Sequence, residues 1–276
     1  MRNTFVIGTM ITLVAGAALA QDSNTLNIEG EQMVTEVAAP AHMENVDTIY
    51  SGWRFRSEET QALEMDDFEN PAMVFVDQAL DLWDKVEGAE GKACSSCHED
   101  VEDFAGLRPS LPRVENGQLV TMENLVNECR TDRMGADAWK WSGGQMTAMT
   151  ALIGLQSRGM PVDVVIDGDA APFWEQGKEL YYTKVGQLQM ACSNCHEDNY
   201  GVMIRADHLS QGQINGFPTY RLKNTKMNSS HGRFKGCMKN IRATPYKEGG
   251  EEFKALELYL ASRGQGLSIE TPSVRN

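Results

Sequence analysis

Residues 93–100 read ACSSCHED, and residues 191–198 read ACSNCHED. The two octapeptides differ at one position and lie 98 residues apart. C-x-x-C-H is the attachment signal for c-type haem. Two thiols three residues apart reach the two vinyl groups of one porphyrin, and the adjacent His ligates the iron from one face. The two copies mark Cys94, Cys97 and His98, and Cys192, Cys195 and His196, as two covalent haem c sites. A zinc site would need four protein ligands of suitable geometry, and the remaining His residues do not fall at finger-like spacings.

The sequence around the motifs repeats as well. Gln78, Leu82 and Trp83 match Gln176, Leu180 and Tyr181 at the same offset, and LIGLQSRG (152–159) echoes LELYLASRG (256–264). Each unit reads as amphipathic helix, CxxCH, long irregular segment, closing helix ending at Arg-Gly, where Gly suits a helix C-cap and Arg the negative helix end. The fold class that follows is mainly α: two tandem cytochrome c domains related by an internal repeat, residues 73–165 and 166–276, with an N-terminal arm over 21–72. GMPVDVVIDGDAAP (159–172) has the Pro, Gly and acid content of a linker. The tail after Gly266 is expected to be loosely ordered. In the arm, SGWRFR (51–56) stands out, with Trp53 as a packing anchor; His42 is expected at the surface.

Residues 1–20, MRNTFVIGTMITLVAGAALA, have the basic start, short apolar run and Ala-Leu-Ala cleavage site of a secretory signal peptide, cut before Gln21. The apolar run is well short of the ~20 residues of a spanning helix, so the mature chain is expected to be soluble, without a membrane span, and exported. It carries 24 basic against 39 acidic residues, which argues against nucleic-acid binding.

Each iron needs a ligand on its far side, usually Met or His in electron carriers. Met146, Met149, Met203 and Met227 read as packing; His208 and His231 could serve the second iron, but the first unit has no His after His98. Each unit instead has one further Cys, Cys129 or Cys237, ahead of its closing helix. A repeated position argues for a repeated role, distal thiolate ligand; a Cys129–Cys237 disulfide is the alternative.

The two thiols differ in surroundings. From Arg221 to Lys247 there are eight basic residues and no acid; the window 113–139 around Cys129 holds three basic and five acidic residues. The positive segment suits an anionic substrate and favours a thiolate at Cys237. Arg233, four residues before Cys237, is the best single anion-binding candidate because its fork can hold two oxygens. Lys235 and Lys239 are weaker ones.

With two CxxCH units, one extra Cys per unit, a signal peptide and the RFKGC stretch (233–237), the chain resembles the SoxA family, dihaem cytochrome subunits of the SoxAX complex in periplasmic sulfur oxidation. The resemblance implies L-cysteine S-thiosulfotransferase activity, in which thiosulfate is joined oxidatively to a cysteine of the carrier protein SoxYZ and two electrons pass to cytochrome c. It implies His98 and Cys129 as axial ligands of the first haem, and His196 and Cys237 of the second. It places the active centre at the second haem, with Cys237 able to carry a persulfide sulfur and Arg233 as the active-site arginine. It implies SoxX, a monohaem cytochrome, as heterodimer partner, and the periplasm as location. A thiosulfate dehydrogenase forming tetrathionate and a non-catalytic dihaem electron carrier are the competing functions.

Overall fold

The computed structural model describes residues 24–205 and 207–276; the signal-peptide reading, residues 1–20, lies outside them. Eight α-helices occur among the described residues: α1 Glu58–Met65, α2 Met73–Trp83, α3 Met122–Glu128, α4 Gly144–Leu155, α5 Ala171–Tyr182, α6 Cys192–His196, α7 Ser230–Asn240 and α8 Glu251–Arg263. The strands are only two or three residues long and form small two- and three-stranded sheets, so the fold is mainly helical. No helix among them is long and apolar enough to cross a membrane.

Two helix pairs organise the molecule. Helix α2 packs on α4 and α5 on α8. The first pair buries Val76, Ala79 and Trp83 against Met146, Met149 and Leu152. The second buries Trp174 and Tyr181 against Phe253, Leu256, Tyr259 and Leu260. The α5–α8 crossing is close enough to require glycine at Gly177, where a Cβ would lie 2.1 Å from the Ala255 carbonyl oxygen.

Neither core is contiguous in sequence. A hairpin pairs Arg113–Glu115 with Gln118–Val120, and its Leu119 plugs into the core built on α5 and α8. A second hairpin pairs Thr219–Arg221 with Lys226–Asn228, and its Met227 plugs into the core built on α2 and α4. Each half thus lends a buried apolar side chain to the other, with Val114 and Tyr220 packing beside them. Lys254 adds to the first loan by donating from Nζ to the Leu119 carbonyl at 2.8 Å. The borrowed methionine explains one of the four Met residues; Met146 and Met149 are buried in the first core, whereas Met203 is exposed.

The N-terminal arm is packed. Trp53 is buried with Leu26, Ile28 and Met33, and its indole Nε1 donates to the Gln61 carbonyl at 3.3 Å. A second small cluster joins Met43, Val46 and Ile49 to Leu267.

Three loop expectations are corrected. The segment 159–172 is not a free linker. Val162 and Val164 alternate inward into the second core, and the Val162 N–H donates to the Leu267 carbonyl at 2.8 Å. The tail after Gly266 is almost wholly buried: Ser273–Arg275 runs parallel to Thr219–Arg221 as a strand. Arg275 pairs with both Glu64 and Glu270, and the Val274 N–H donates to Glu64 Oε2 at 2.8 Å. Satisfied backbone groups and paired charges hold a segment expected to be loose as a chain end. His42 is half-buried, not a surface residue, with its ring 5.1 Å from that of Trp174.

Candidate functional site

The two extra cysteines arise from the same local device. Helix α7 starts at Ser229, whose Oγ accepts from the Gly232 N–H at 3.1 Å. Helix α3 starts at Thr121, whose N–H donates to Asn124 Oδ1 at 3.1 Å. Such caps satisfy N–H groups that the first helical turn leaves open. Cys237 and Cys129 each lie eight residues beyond the cap. The residue one turn earlier on the same helical face is Arg233 in α7 and Leu125 in α3. The register is common to both; the charge is not.

All six cysteines are free thiols. Cys129 lies beside Cys94 and Cys97, and Cys237 beside Cys192 and Cys195, as their mutual electrostatic influence records. The Cys129–Cys237 disulfide is therefore not formed, and each extra thiol stands with the CxxCH pair of its own unit.

At the second cluster the His196 ring has one nitrogen committed. Nδ1 lies 2.7 Å from the Ser210 carbonyl oxygen, which fixes the ring and leaves Nε2 as the nitrogen for a metal. The same ring favours the ionised form of Cys237. Gly212, with φ +85°, lies flat against it; a Cβ there would sit 3.0 Å from His196 Cγ. Glu197, the next residue, is buried and bound by Arg263, which also stacks on Tyr181 at 4.4 Å. Tyr182 donates to Glu197 Oε1 at 2.8 Å.

The first cluster lacks this backing. His98 packs on Phe104 at 4.8 Å and Trp83 at 6.1 Å, and Glu99 is exposed. Arg130, the residue after Cys129, is taken up by Glu87 at 2.8 Å and by the Trp139 ring at 3.9 Å.

The thiols respond accordingly. Burial pushes Cys94 up to about 11 and Cys192 up to about 12. Burial, with Cys97 adding to it, raises Cys129 as well. Burial also opposes ionisation of Cys237, but the Arg233 charge, the His196 hydrogen bond and Arg221 outweigh it and bring that thiol down to about 7.

Of the other candidates, Lys235 is engaged by Glu248 at 3.4 Å, and Lys239 is exposed in the last turn of α7. His208 is exposed. His231 is fully buried 2.9 Å from Glu257 and accepts from the Gly249 N–H, so both ring nitrogens face other partners. Arg221 and Arg56 were not singled out from sequence. Arg221 ends the hairpin strand Thr219–Arg221, and its charge is felt by Cys237. Arg56 comes from the arm and binds Asp207 and the His208 carbonyl.

Among the described residues no group of three or more His, Cys, Asp or Glu side chains could hold a metal by itself. A CxxCH His, a further Cys and the CxxC thiol pair beside it are the donor types that a c-type haem takes, its porphyrin supplying the other ligands. The residues fit that group.

Residues 78–162 match the family model described as SoxA/TsdA, cytochrome c domain, so the chain carries haem c. It is 56% identical over 95% of its length to the L-cysteine S-thiosulfotransferase subunit SoxA of Paracoccus pantotrophus, covering 93% of that protein. The SoxA subunit of Rhodovulum sulfidophilum gives the same identity and coverage. The chain belongs to the SoxA family. The crystal structure of SoxXA from P. pantotrophus superposes with a TM-score of 0.89 at 55% identity, over 93% of this chain and 99% of that one. This SoxA-family chain is thus a subunit of an L-cysteine S-thiosulfotransferase.

Proposed function

We propose that this SoxA-family chain is a periplasmic dihaem cytochrome, released by signal-peptide cleavage before Gln21, that couples thiosulfate to a cysteine of the carrier protein SoxYZ. Its two halves are tandem cytochrome c units, 73–165 and 166–276. Cys94 and Cys97 hold one haem and Cys192 and Cys195 the other. His98 with Cys129, and His196 with Cys237, are the axial pairs. SoxX is the heterodimer partner, and a cytochrome c takes the electrons.

The observation that carries this reading is the contrast between the two extra thiols. They share one helical register, yet Cys237 faces an arginine and is drawn down to about 7, while burial holds Cys129 up. A thiolate beside a guanidinium fork suits a sulfur relay for an oxyanion substrate.

In this account Arg233 holds the sulfonate oxygens of thiosulfate and orients its outer sulfur toward Cys237. Cys237, as thiolate or persulfide, is the sulfur at which the new bond is assembled, and the Ser210 carbonyl keeps the His196 ring aligned beneath it. The net reaction forms one S–S bond between the carrier thiol and the outer sulfur of thiosulfate, releasing one proton and two electrons. A bound haem c supplies a one-electron acceptor, so the two electrons leave singly.

The deciding experiment incubates the holoprotein, with SoxX and a cytochrome c acceptor, with thiosulfate in the presence and absence of SoxYZ. The expected product is carrier-bound thiosulfate, with acceptor reduction requiring the carrier. Rapid tetrathionate formation without carrier would instead establish a thiosulfate dehydrogenase, and acceptor reduction with neither product a plain electron carrier.

A further inference from the structure

The Ser210 carbonyl that fixes the His196 ring belongs to a short loop, and that loop is itself held by the N-terminal arm. Its middle residue, Gln211, is fully buried. The Gln211 side-chain Oε1 accepts from the Tyr50 N–H at 2.7 Å, and Nε2 donates to the Thr48 carbonyl at 3.0 Å. Both partners lie on the arm strand Thr48–Tyr50, which pairs antiparallel with Glu36–Ala38. Just before it the Asp47 carbonyl accepts from the Ala39 N–H. Successive residues of a strand turn their backbone groups to opposite edges, so Thr48 and Tyr50 present theirs on the edge away from Glu36–Ala38. The Gln211 amide takes the place of a neighbouring strand there. It closes a donor and an acceptor that a sheet edge leaves open.

The loop is fixed at other points too. The Gln211 carbonyl accepts from Arg263 Nη2 at 3.4 Å, and the Gly212 N–H donates to Ser210 Oγ at 3.3 Å. With Gly212 flat on the imidazole, a shift of this main chain moves both the acceptor at His196 Nδ1 and the surface against the ring. In the first unit the His98 ring meets Phe104 and Trp83 instead. We propose that Gln211 is a positioning residue through which the N-terminal arm sets the His196 ring and its strength as an electron donor. A carbonyl that accepts from the far ring N–H makes imidazole a more basic ligand. A more basic ligand favours ferric iron and lowers the potential. The inference rests on the His196–Cys237 axial pair proposed above. It gives the arm a part in electron transfer, confined to the second haem.

The test is redox titration of the haem-loaded full chain, followed by visible absorption, with electron paramagnetic resonance of the oxidised state. Gly212→Ala, whose Cβ presses on the His196 ring, identifies the second haem's signal. Gln211→Met keeps the length of the side chain and removes both arm bonds. It should lower the ferric-to-ferrous ratio of that haem about tenfold at a given potential, a rise in midpoint of about 59 mV for one electron. Its paramagnetic signal should move as well, while the first haem stays within about twofold of the parent. Gln211→Asn, a neutral amide one methylene too short, should act in the same sense by at least about threefold, and it carries the test if the Met variant fails to fold. A merely structural Gln211 would lower stability and leave the two haems alike. A change under about threefold at the second haem, a lowered midpoint, or equal shifts at both haems would overturn the proposal. A parent with one low-spin signal instead of two would refute the dihaem reading above and this inference with it; two parent signals, neither moved by the variants, would refute this inference alone.

Discussion

Replacing Arg263 by Met should be among the most damaging single changes in the molecule. Arg263 and Glu197 are both essentially without solvent contact, with side-chain exposures of 0% and 2%. Removing one member of such a pair strands the other's charge and typically costs about 3–5 kcal/mol. Tyr182, which donates to Glu197 Oε1 at 2.8 Å, partly compensates the stranded carboxylate. Loss of the stacking on Tyr181 at 4.4 Å acts the other way, by roughly 0.5–2 kcal/mol. A net loss of about 3–4 kcal/mol follows. Met keeps much of the apolar volume, so Arg263→Met/Glu197→Gln, which leaves no buried charge, should recover about 2 kcal/mol or more. Guanidinium unfolding of the holoprotein followed by far-ultraviolet circular dichroism measures Arg263→Met, Glu197→Gln and the double variant against the parent. Glu99→Gln provides the contrast: Glu99 holds the same place after the first motif but is exposed, so the change should stay within about 0.5 kcal/mol. A single-variant cost below about 1 kcal/mol, or a double variant as unstable as the sum of its parts, would refute the reasoning.

Other consequences follow from the same structure. Leu119→Ala, though it lies in the first half of the sequence, should cost about 2–5 kcal/mol by opening a cavity in the second core; a hydrogen-exchange map with loosening confined to the first half would contradict the exchanged hairpin. Burial raises Glu64 to about 7 despite its contact with Arg275. The native state therefore binds a proton that the unfolded chain gives up nearer 4.5, and this contribution to stability declines as pH rises from about 4.5 through about 7. Glu64→Gln should flatten that slope in denaturant titrations across the interval, and an unchanged slope would count against the assignment. Arg233→Gln should lower carrier-dependent kcat/KM for thiosulfate at least tenfold through loss of charged hydrogen bonds. Leu125→Gln, at the same register in the first unit, should leave kcat/KM within about twofold if that site takes no substrate.

The haem-binding residues were legible because their chemistry is local: C-x-x-C-H places three ligating groups within five residues. The relation between Cys129 and Cys237 was legible as a repeat. Its physical basis is a hydroxyl-bearing cap followed at eight residues by Cys in both halves, Thr121 to Cys129 and Ser229 to Cys237. Trp53 as an anchor also followed from its size and surroundings. What sequence concealed were partnerships between distant residues. Nothing local in Leu119 or Met227 says that each fills the other half's core. Eight cations between Arg221 and Lys247 announce a field, but not that Lys235 is engaged by Glu248 while the charges of Arg233 and Arg221 act on the thiol. Arg56 stands 151 residues before Asp207 and pairs with it only through packing of the arm. The segment 159–172 was misread because Pro, Gly and acids suggest a linker, and the tail after Gly266 because chain ends are usually loosely ordered. Val162 and Val164 show the period-2 burial of extended chain, whereas residues 267–274 are buried at every position.

The central claim is that sulfur chemistry occurs at one of two similar thiols. The most direct measurement is intact mass of SoxYZ after incubation with thiosulfate, a cytochrome c acceptor and the haem-loaded SoxX complex of the parent chain, Cys129→Ser or Cys237→Ser. The account predicts carrier-bound thiosulfate from the parent and from Cys129→Ser, and none from Cys237→Ser. Conjugate formed by Cys237→Ser at the parent's rate, or lost only in Cys129→Ser, would contradict it.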